Sequence, residues 1–196
     1  MRFLEYIKDH VLVLDGAMGT MIQGMDVTDA DFGGADYRML GDLLSFSRPD
    51  DIQSIHLAYY RAGAHAVETN TFGASTMRLS EYDFSQIDLS RFADVPDGLD
   101  LRTASFDELT YALNKRSAEI ACAAREVYKT EPEYDGRPLF VVGSIGPSNR
   151  VLSKTDANLR VSTFEAIGEN FYQQVVGLID GGTDVILFET QQDILE

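Results

Sequence analysis

The sequence has one cysteine, no tryptophan and no long hydrophobic run. Cys122 is the only cysteine among the 196 residues, which excludes an intrachain disulfide and is typical of the reducing cytoplasm. No stretch approaches the roughly 18 uninterrupted apolar residues of a transmembrane helix. The first ten residues are rich in charge and lack the apolar core of a signal peptide. We therefore predict a cytoplasmic protein that does not associate with membranes.

Positive charge is also scarce. Sixteen basic residues stand against 32 acidic ones, giving a formal net charge of −16 and an isoelectric point near 4.4. Such a surface repels phosphate groups, so we expect binding neither to nucleic acid nor to anionic membranes. Hydrophobic residues make up 44% of the chain, which is enough for the core of one domain.

Four short apolar runs alternate with helical patterns along the chain. The runs lie at residues 11–14, 66–70, 139–142 and 185–188. Helix starts are predicted at Ser47-Arg48-Pro49, at Ser105 with Glu108, and at Ser162 with Glu165. Two polar segments, 24–46 and 83–104, show no clear period, and we expect the second to loop over the surface.

Apolar strands that alternate with helices predict an α/β domain with a parallel sheet covered by helices. Two architectures fit this order. An open doubly wound sheet normally carries a glycine fingerprint after its first strand, and residues 15–20 are not one. A (β/α)₈ barrel needs about 250 residues and twice as many strands. The chain is therefore expected to be the first half of something longer.

Polar side chains follow all four predicted strands: Asp15, then Glu68 and Asn70, then Ser144, then Glu189. The carboxyl ends of parallel strands are where α/β proteins place their chemistry. A capping or turn role is the alternative for Asp15 and Ser144. For Glu189, burial of a carboxylate is costly without a cation, which favours a ligand ammonium group as its partner.

The histidines and the cysteine do not form a predicted metal site. His10 and His65 precede strands and so belong to the opposite end of the sheet, while His56 lies beside the apolar stripe of a helix. Cys122 falls within a helix and is predicted to be a small packed residue. Since zinc needs three or four converging ligands, we expect no metal site in this chain.

Four segments in register resemble the N-terminal homocysteine-binding domain of cobalamin-dependent methionine synthase, in the homocysteine S-methyltransferase family. They are DGAMGT at 15–20, ETNTF at 68–72, GSIGPSN at 143–149 and LFET at 187–190. Residues 42–45, 48–49 and 152–153 also resemble this family, so the match covers nearly the whole chain. The acidic segment 83–104 looks like an insertion in a connection.

The resemblance implies a parallel (β/α)₈ TIM-type barrel, of which this chain supplies about the first four strands. Residues 1–196 would be the N-terminal part of a single homocysteine-binding domain that continues beyond residue 196. In that family a zinc-bound homocysteine thiolate takes the methyl group of methylcobalamin, which gives methionine. The zinc is held by three cysteines from the second half of the barrel, none of which is in this chain. We therefore expect zinc and methylcobalamin only for the complete enzyme, and no catalytic residue here.

By motif match, the first half contributes an amino-acid clamp. Glu189 would bind the substrate ammonium group, the turn Asp15-Gly16 would present its backbone to the polar end of homocysteine, and Asn70 and Ser144 would line the floor. The implied partners are homocysteine and the folate- and cobalamin-binding modules of methionine synthase. Two alternatives stay open: a homocysteine methyltransferase that uses betaine or S-methylmethionine, and a non-catalytic half-barrel module.

Overall fold

Short strands alternate with helices along the chain, as the sequence predicts. The computed structural model describes residues 2–152, 160–193 and 195, so Ser153 of the 152–153 match lies outside the described residues. The strands are β1 (Ala66–Glu68), β2 (Phe140–Ile145), β3 (Arg150–Val151), β4 (Arg160–Val161) and β5 (Val185–Phe188). The α-helices are α1 (Phe3–Asp9), α2 (Met18–Gln23), α3 (Leu44–Ser47), α4 (Pro49–Arg61), α5 (Thr76–Leu79), α6 (Phe106–Tyr128) and α7 (Phe164–Asp180).

Strands β1, β2 and β5 form a parallel sheet in that order. The predicted α/β fold with a parallel sheet is confirmed. Along the chain, each new strand of this sheet is added on the same side of the previous one. In a doubly wound sheet, the side on which strands are added reverses at a switch point. This order is consistent with part of a barrel, but the described residues do not form a closed one. Strands β3 and β4 pair separately.

The helix starts follow local chemistry. The Ser105 hydroxyl accepts the Glu108 N–H at 3.2 Å, and the Glu108 carboxylate accepts the Ser105 N–H at 2.9 Å, which is a complete capping box at α6. Pro49 stands in the first turn of α4, as predicted. The cap of α7 is Thr163, whose hydroxyl accepts the Ala166 N–H at 3.2 Å, rather than the predicted Ser162.

The first predicted strand, at residues 11–14, is not a buried strand. It forms a single parallel bridge from Leu14 to Ala66, and Val11 and Val13 are 85% and 48% exposed. An apolar run becomes a buried strand only when both of its edges and both of its faces are covered. Segment 11–14 contacts β1 along one edge, and no strand of the described ranges pairs with the other. The prediction of a buried strand was therefore wrong, and the structure places this segment beside β1.

The acidic segment 83–104 runs over the surface, as predicted, and four of its apolar side chains anchor it in the core. Its apolar side chains are buried in the largest hydrophobic cluster of the described chain, together with Ile52 of α4 and Leu109 of α6. These side chains are Phe84, Ile87, Phe92 and Leu101. The aspartates between them accept nearby backbone N–H groups or bind arginine, which keeps the carboxylates in solvent. The buried apolar residues of this segment recur with neither a helical nor a strand period. Their burial could therefore not be recognised from the sequence.

Helices α6 and α7 approach closely because two glycines face α6. A Cβ atom at Gly177 would lie 2.5 Å from the Tyr111 carbonyl oxygen, and one at Gly181 would lie 2.5 Å from that of Lys115. No side chain fits at either place without moving a helix. Among the described residues, none of the helices combines the length and hydrophobicity that a membrane crossing requires.

The close helix contact predicts opposite effects at two glycines of α7. Gly177→Ala should lower the free energy of unfolding by about 1–3 kcal/mol, because the added methyl group overpacks the contact with α6. Gly168→Ala should raise it by about 0.5–1 kcal/mol, because no atom lies within 4 Å of that position and alanine favours the helix. Urea unfolding of both variants measures the difference, and equal shifts would contradict the packing.

Candidate functional site

A cleft of about 680 Å³ opens at the carboxyl ends of the parallel strands. The loops after segment 11–14, β1, β2 and β5 form its walls. All five residues predicted for the site line it: Asp15, Gly16, Asn70, Ser144 and Glu189. The structure therefore brings the predicted residues together, while their roles toward a ligand stay predictions.

A second cleft, of about 720 Å³, lies between residues 93–99 and helix α6. Its charged side chains largely satisfy one another: Arg116 forms an ion pair with Asp94, and Lys115 lies 4.0 Å from Glu119. No strand end enters this cleft. We therefore place the candidate site in the cleft at the strand ends.

Three carboxyl groups, from the end of β1 and from the segments after residue 14 and after β5, meet at one end of the strand-end cleft. One oxygen of Asp15 accepts the Glu68 N–H at 3.0 Å, and its other oxygen is buried without a hydrogen-bond partner. The Glu68 and Glu189 carboxyl groups lie close enough together for repulsion from Glu189 to raise the pKa of Glu68. Within the described ranges, the ion pairs involve other carboxylates and none of these three. We call Asp15, Glu68 and Glu189 the carboxyl cluster.

The surroundings of Glu68 and Asp15 favour the protonated forms of these two carboxyl groups. Burial, followed by repulsion from Glu189, raises the pKa of Glu68 to about 8. Burial also raises the pKa of Asp15 to about 7, although the Glu68 N–H opposes this shift. Within the described chain, no cationic side chain forms an ion pair with these carboxylates, so bound protons neutralise them instead. A ligand with a positive charge can take the place of those protons.

Hydroxyl groups hold Ser144 in a fixed position beside the carboxyl cluster. The Thr69 hydroxyl oxygen accepts the Ser144 N–H at 3.1 Å, and the Thr71 hydroxyl donates to the Ser144 carbonyl oxygen at 2.7 Å. The Ser144 hydroxyl then donates to the Glu189 carboxylate. Ser144 therefore orients Glu189 in addition to lining the cleft.

Asn70 and Gly16 shape the cleft through the backbone. The Asn70 amide donates to the Gly41 carbonyl oxygen at 2.9 Å and lies 3.4 Å from the Ser45 hydroxyl, which ties the 41–45 segment to the end of β1. A Cβ atom at Gly16 would lie 3.1 Å from the Tyr59 hydroxyl oxygen. A side chain in the turn after residue 15 would therefore crowd the Tyr59 ring.

Sequence reasoning missed three charged residues of the cleft. Glu68 was recognised only as a strand-end residue, although a carboxylate directly after an apolar strand is the same signal that singled out Glu189. Asp42 is 6% exposed, accepts the Gly73 N–H at 3.0 Å, and has its pKa raised to about 6 by burial. Arg78 lines the cleft and binds Glu81 at 2.7 Å. Neither Asp42 nor Arg78 stands in a periodic pattern.

The described residues do not fit a thiolate zinc site. No group of three or more His, Cys, Asp or Glu side chains in the described part of the chain could hold a metal ion. The Cys122 thiol lies on α6, 3.3 Å from the Gly182 carbonyl oxygen, and burial raises its pKa. His56 is fully buried in α4, and burial lowers its pKa to about 4. We therefore place neither zinc nor methylcobalamin on residues of this chain.

Comparison with known proteins gives one family. The model of the homocysteine S-methyltransferase family matches residues 12–196. The chain is also similar to the homocysteine methyltransferase MmuM from Escherichia coli, at 26% sequence identity. Against the metallated form the TM-score is 0.67, with 96% of this chain and 57% of that chain covered. Against the oxidized form it is 0.62, with 92% and 53% covered. The chain thus spans little more than half the length of these structures.

The raised pKa of Glu68 predicts that stability falls with rising pH. The unfolded carboxyl group releases its proton near pH 4.5, while the folded one keeps it to about pH 8. The free energy of unfolding should therefore decrease across this interval, by about 1–2 kcal/mol after allowance for solvent screening. Glu68→Gln should make the decrease smaller, with Asp15 and Asp42 contributing the remainder because burial raises their pKa values as well. The exposed control Glu133→Gln should keep the whole decrease. Unfolding by urea at several pH values tests this, and an unchanged pH dependence in Glu68→Gln would contradict the assignment.

Proposed function

Because this chain belongs to the homocysteine S-methyltransferase family, we propose that it is the homocysteine-binding part of a methyltransferase. One observation carries the proposal: the carboxyl cluster lies at the strand ends and has no cationic partner within the described chain. An α-amino acid brings an ammonium group that matches this site in charge and in hydrogen-bond donors.

In the proposed complex, the ammonium group binds Glu189, which the Ser144 hydroxyl already orients. Glu68 and Asp15 lie close enough to Glu189 to share the charge, since repulsion from Glu189 contributes to the raised pKa of both. The backbone of the turn at Gly16 faces the polar end of the amino acid. The arrangement clamps one end of homocysteine and leaves the thiol end free to point out of the carboxyl cluster.

The chain's own residues bind and orient homocysteine rather than activate it. A free thiol with a pKa near 8.5 is largely protonated at neutral pH and reacts poorly. The described residues offer no metal site and no buried base that faces a thiol. Activation of the thiol and delivery of the methyl group are therefore assigned to the complete enzyme, with zinc as the proposed group that removes the thiol proton.

The methyl donor separates the finer proposals. The GSIGPSN segment supports methionine synthase, with methylcobalamin as donor and folate- and cobalamin-binding modules as partners, and the single cysteine supports a cytoplasmic location. A homocysteine methyltransferase that uses betaine or S-methylmethionine is the alternative, and the similarity to the homocysteine methyltransferase MmuM fits either branch. Turnover assays of the complete enzyme with each donor distinguish the two.

The ammonium site predicts a specific loss in Glu189→Gln. The variant keeps an oxygen for the Ser144 hydroxyl but loses the negative charge, so homocysteine binding should weaken by about 1.5–3 kcal/mol. The exposed Glu165→Gln on α7 is the matched control and should bind as the unaltered chain does. Isothermal titration calorimetry measures both, and undiminished affinity in Glu189→Gln would overturn the assignment.

A further inference from the structure

A fully buried glutamine lies behind the cleft. Gln174 of α7 is 0% exposed, and its side-chain Nε2 donates to the Thr71 carbonyl oxygen at 2.8 Å. Its Oε1 is buried without a hydrogen-bond partner. The partner fixes which end of the amide faces Thr71, because a carbonyl oxygen only accepts.

An amide at this position costs stability. A buried polar group loses its hydrogen bonds to water, and the unpartnered Oε1 recovers none of them. A leucine or methionine would fill the same space without that cost. The single hydrogen bond to Thr71 is thus what the glutamine adds over an apolar side chain.

Hydrogen bonds connect Gln174 to the carboxyl cluster in three steps. Gln174 binds the Thr71 backbone, and the Thr71 hydroxyl binds the Ser144 carbonyl oxygen at 2.7 Å. The Ser144 hydroxyl binds Glu189. Thr71 and Ser144 are 0% and 1% exposed, so water does not compete for these contacts.

Two more buried amides hold the same segment of chain. Asn170 of α7 accepts the Met77 N–H at 2.6 Å, and Asn114 of α6 donates to the Ala74 carbonyl oxygen at 2.8 Å. The close contact of α6 and α7 at Gly177 fixes the distance between the two helices that carry these amides. Three buried amides on α6 and α7 therefore hold segment 71–77, beside the cleft, by hydrogen bonds to its backbone.

We propose that Gln174 is a positioning residue that acts through Thr71 and Ser144 to orient the Glu189 carboxyl group toward the ammonium group of an α-amino acid. The identity of the ligand rests on the proposed function. The positioning itself rests on the hydrogen bonds from α7 to the carboxyl cluster.

The test compares Gln174→Met, which keeps the size and removes the donor, with Gln173→Met as the control one residue away. Titration calorimetry with homocysteine should show an affinity about 3- to 10-fold lower in Gln174→Met, the effect of one hydrogen bond, and no change in Gln173→Met. Without ligand, NMR of carboxyl-labelled glutamate should show a displaced Glu189 signal in Gln174→Met only. A lower melting temperature with unchanged affinity and an unchanged Glu189 signal would overturn the proposal.

A second pair of variants covers the case in which Gln174→Met does not fold. Thr71→Val removes the hydroxyl that binds Ser144 and should displace the Glu189 signal. Thr71→Ser retains the hydroxyl, so its Glu189 signal should stay where the unaltered chain has it. Equal signals in the two would overturn the proposal. If the unaltered chain binds no homocysteine while these shifts occur, the proposed function fails and the positioning role stands.

Discussion

Repulsion among half-buried carboxyl groups is the constraint on which the site depends. Glu68 ends β1, Asp15 follows segment 11–14 and Glu189 follows β5, and a parallel sheet brings the ends of its strands to the same edge. Burial and repulsion raise the pKa of Glu68 to about 8 and that of Asp15 to about 7. The folded chain therefore stores an unfavourable arrangement that either protons or a cationic ligand relieve. The proposed ligand, an α-amino acid, brings such a positive charge.

The surrounding structure keeps these carboxyl groups in place. Helices α6 and α7 pack closely through glycines, and their amides bind the 71–77 segment that forms one wall of the cleft. Ser144 is bound on both sides of its peptide by threonine hydroxyls and holds Glu189 with its own hydroxyl. A loose site would let the carboxylates separate into solvent, which would lower their pKa values and weaken the attraction for a cation.

The parts of the fold that follow local rules could be predicted from the sequence. Apolar runs and capping residues predicted β2, β5, α4 and α6, and the strand ends predicted four of the five proposed site residues, because the geometry of a parallel sheet fixes where strand ends meet. Gly16 was predicted only through the motif match. The burial of segment 11–14 and of the acidic segment could not be predicted, because burial there depends on which distant elements cover them. The roles of Asp42 and Gln174 could not be predicted for the same reason, because their hydrogen-bond partners are 31 and 103 residues away along the chain.

The number of protons released when a ligand binds tests the account most directly. Methionine is the suitable probe, since it carries the ammonium group of homocysteine without an ionisable thiol. Calorimetric titrations near pH 7 in buffers of different ionisation enthalpy should show net proton release, because the ammonium group displaces the protons held by Glu68 and Asp15. In Glu68→Gln the release should be smaller. Binding of methionine with no proton release, or with proton uptake, would contradict the account.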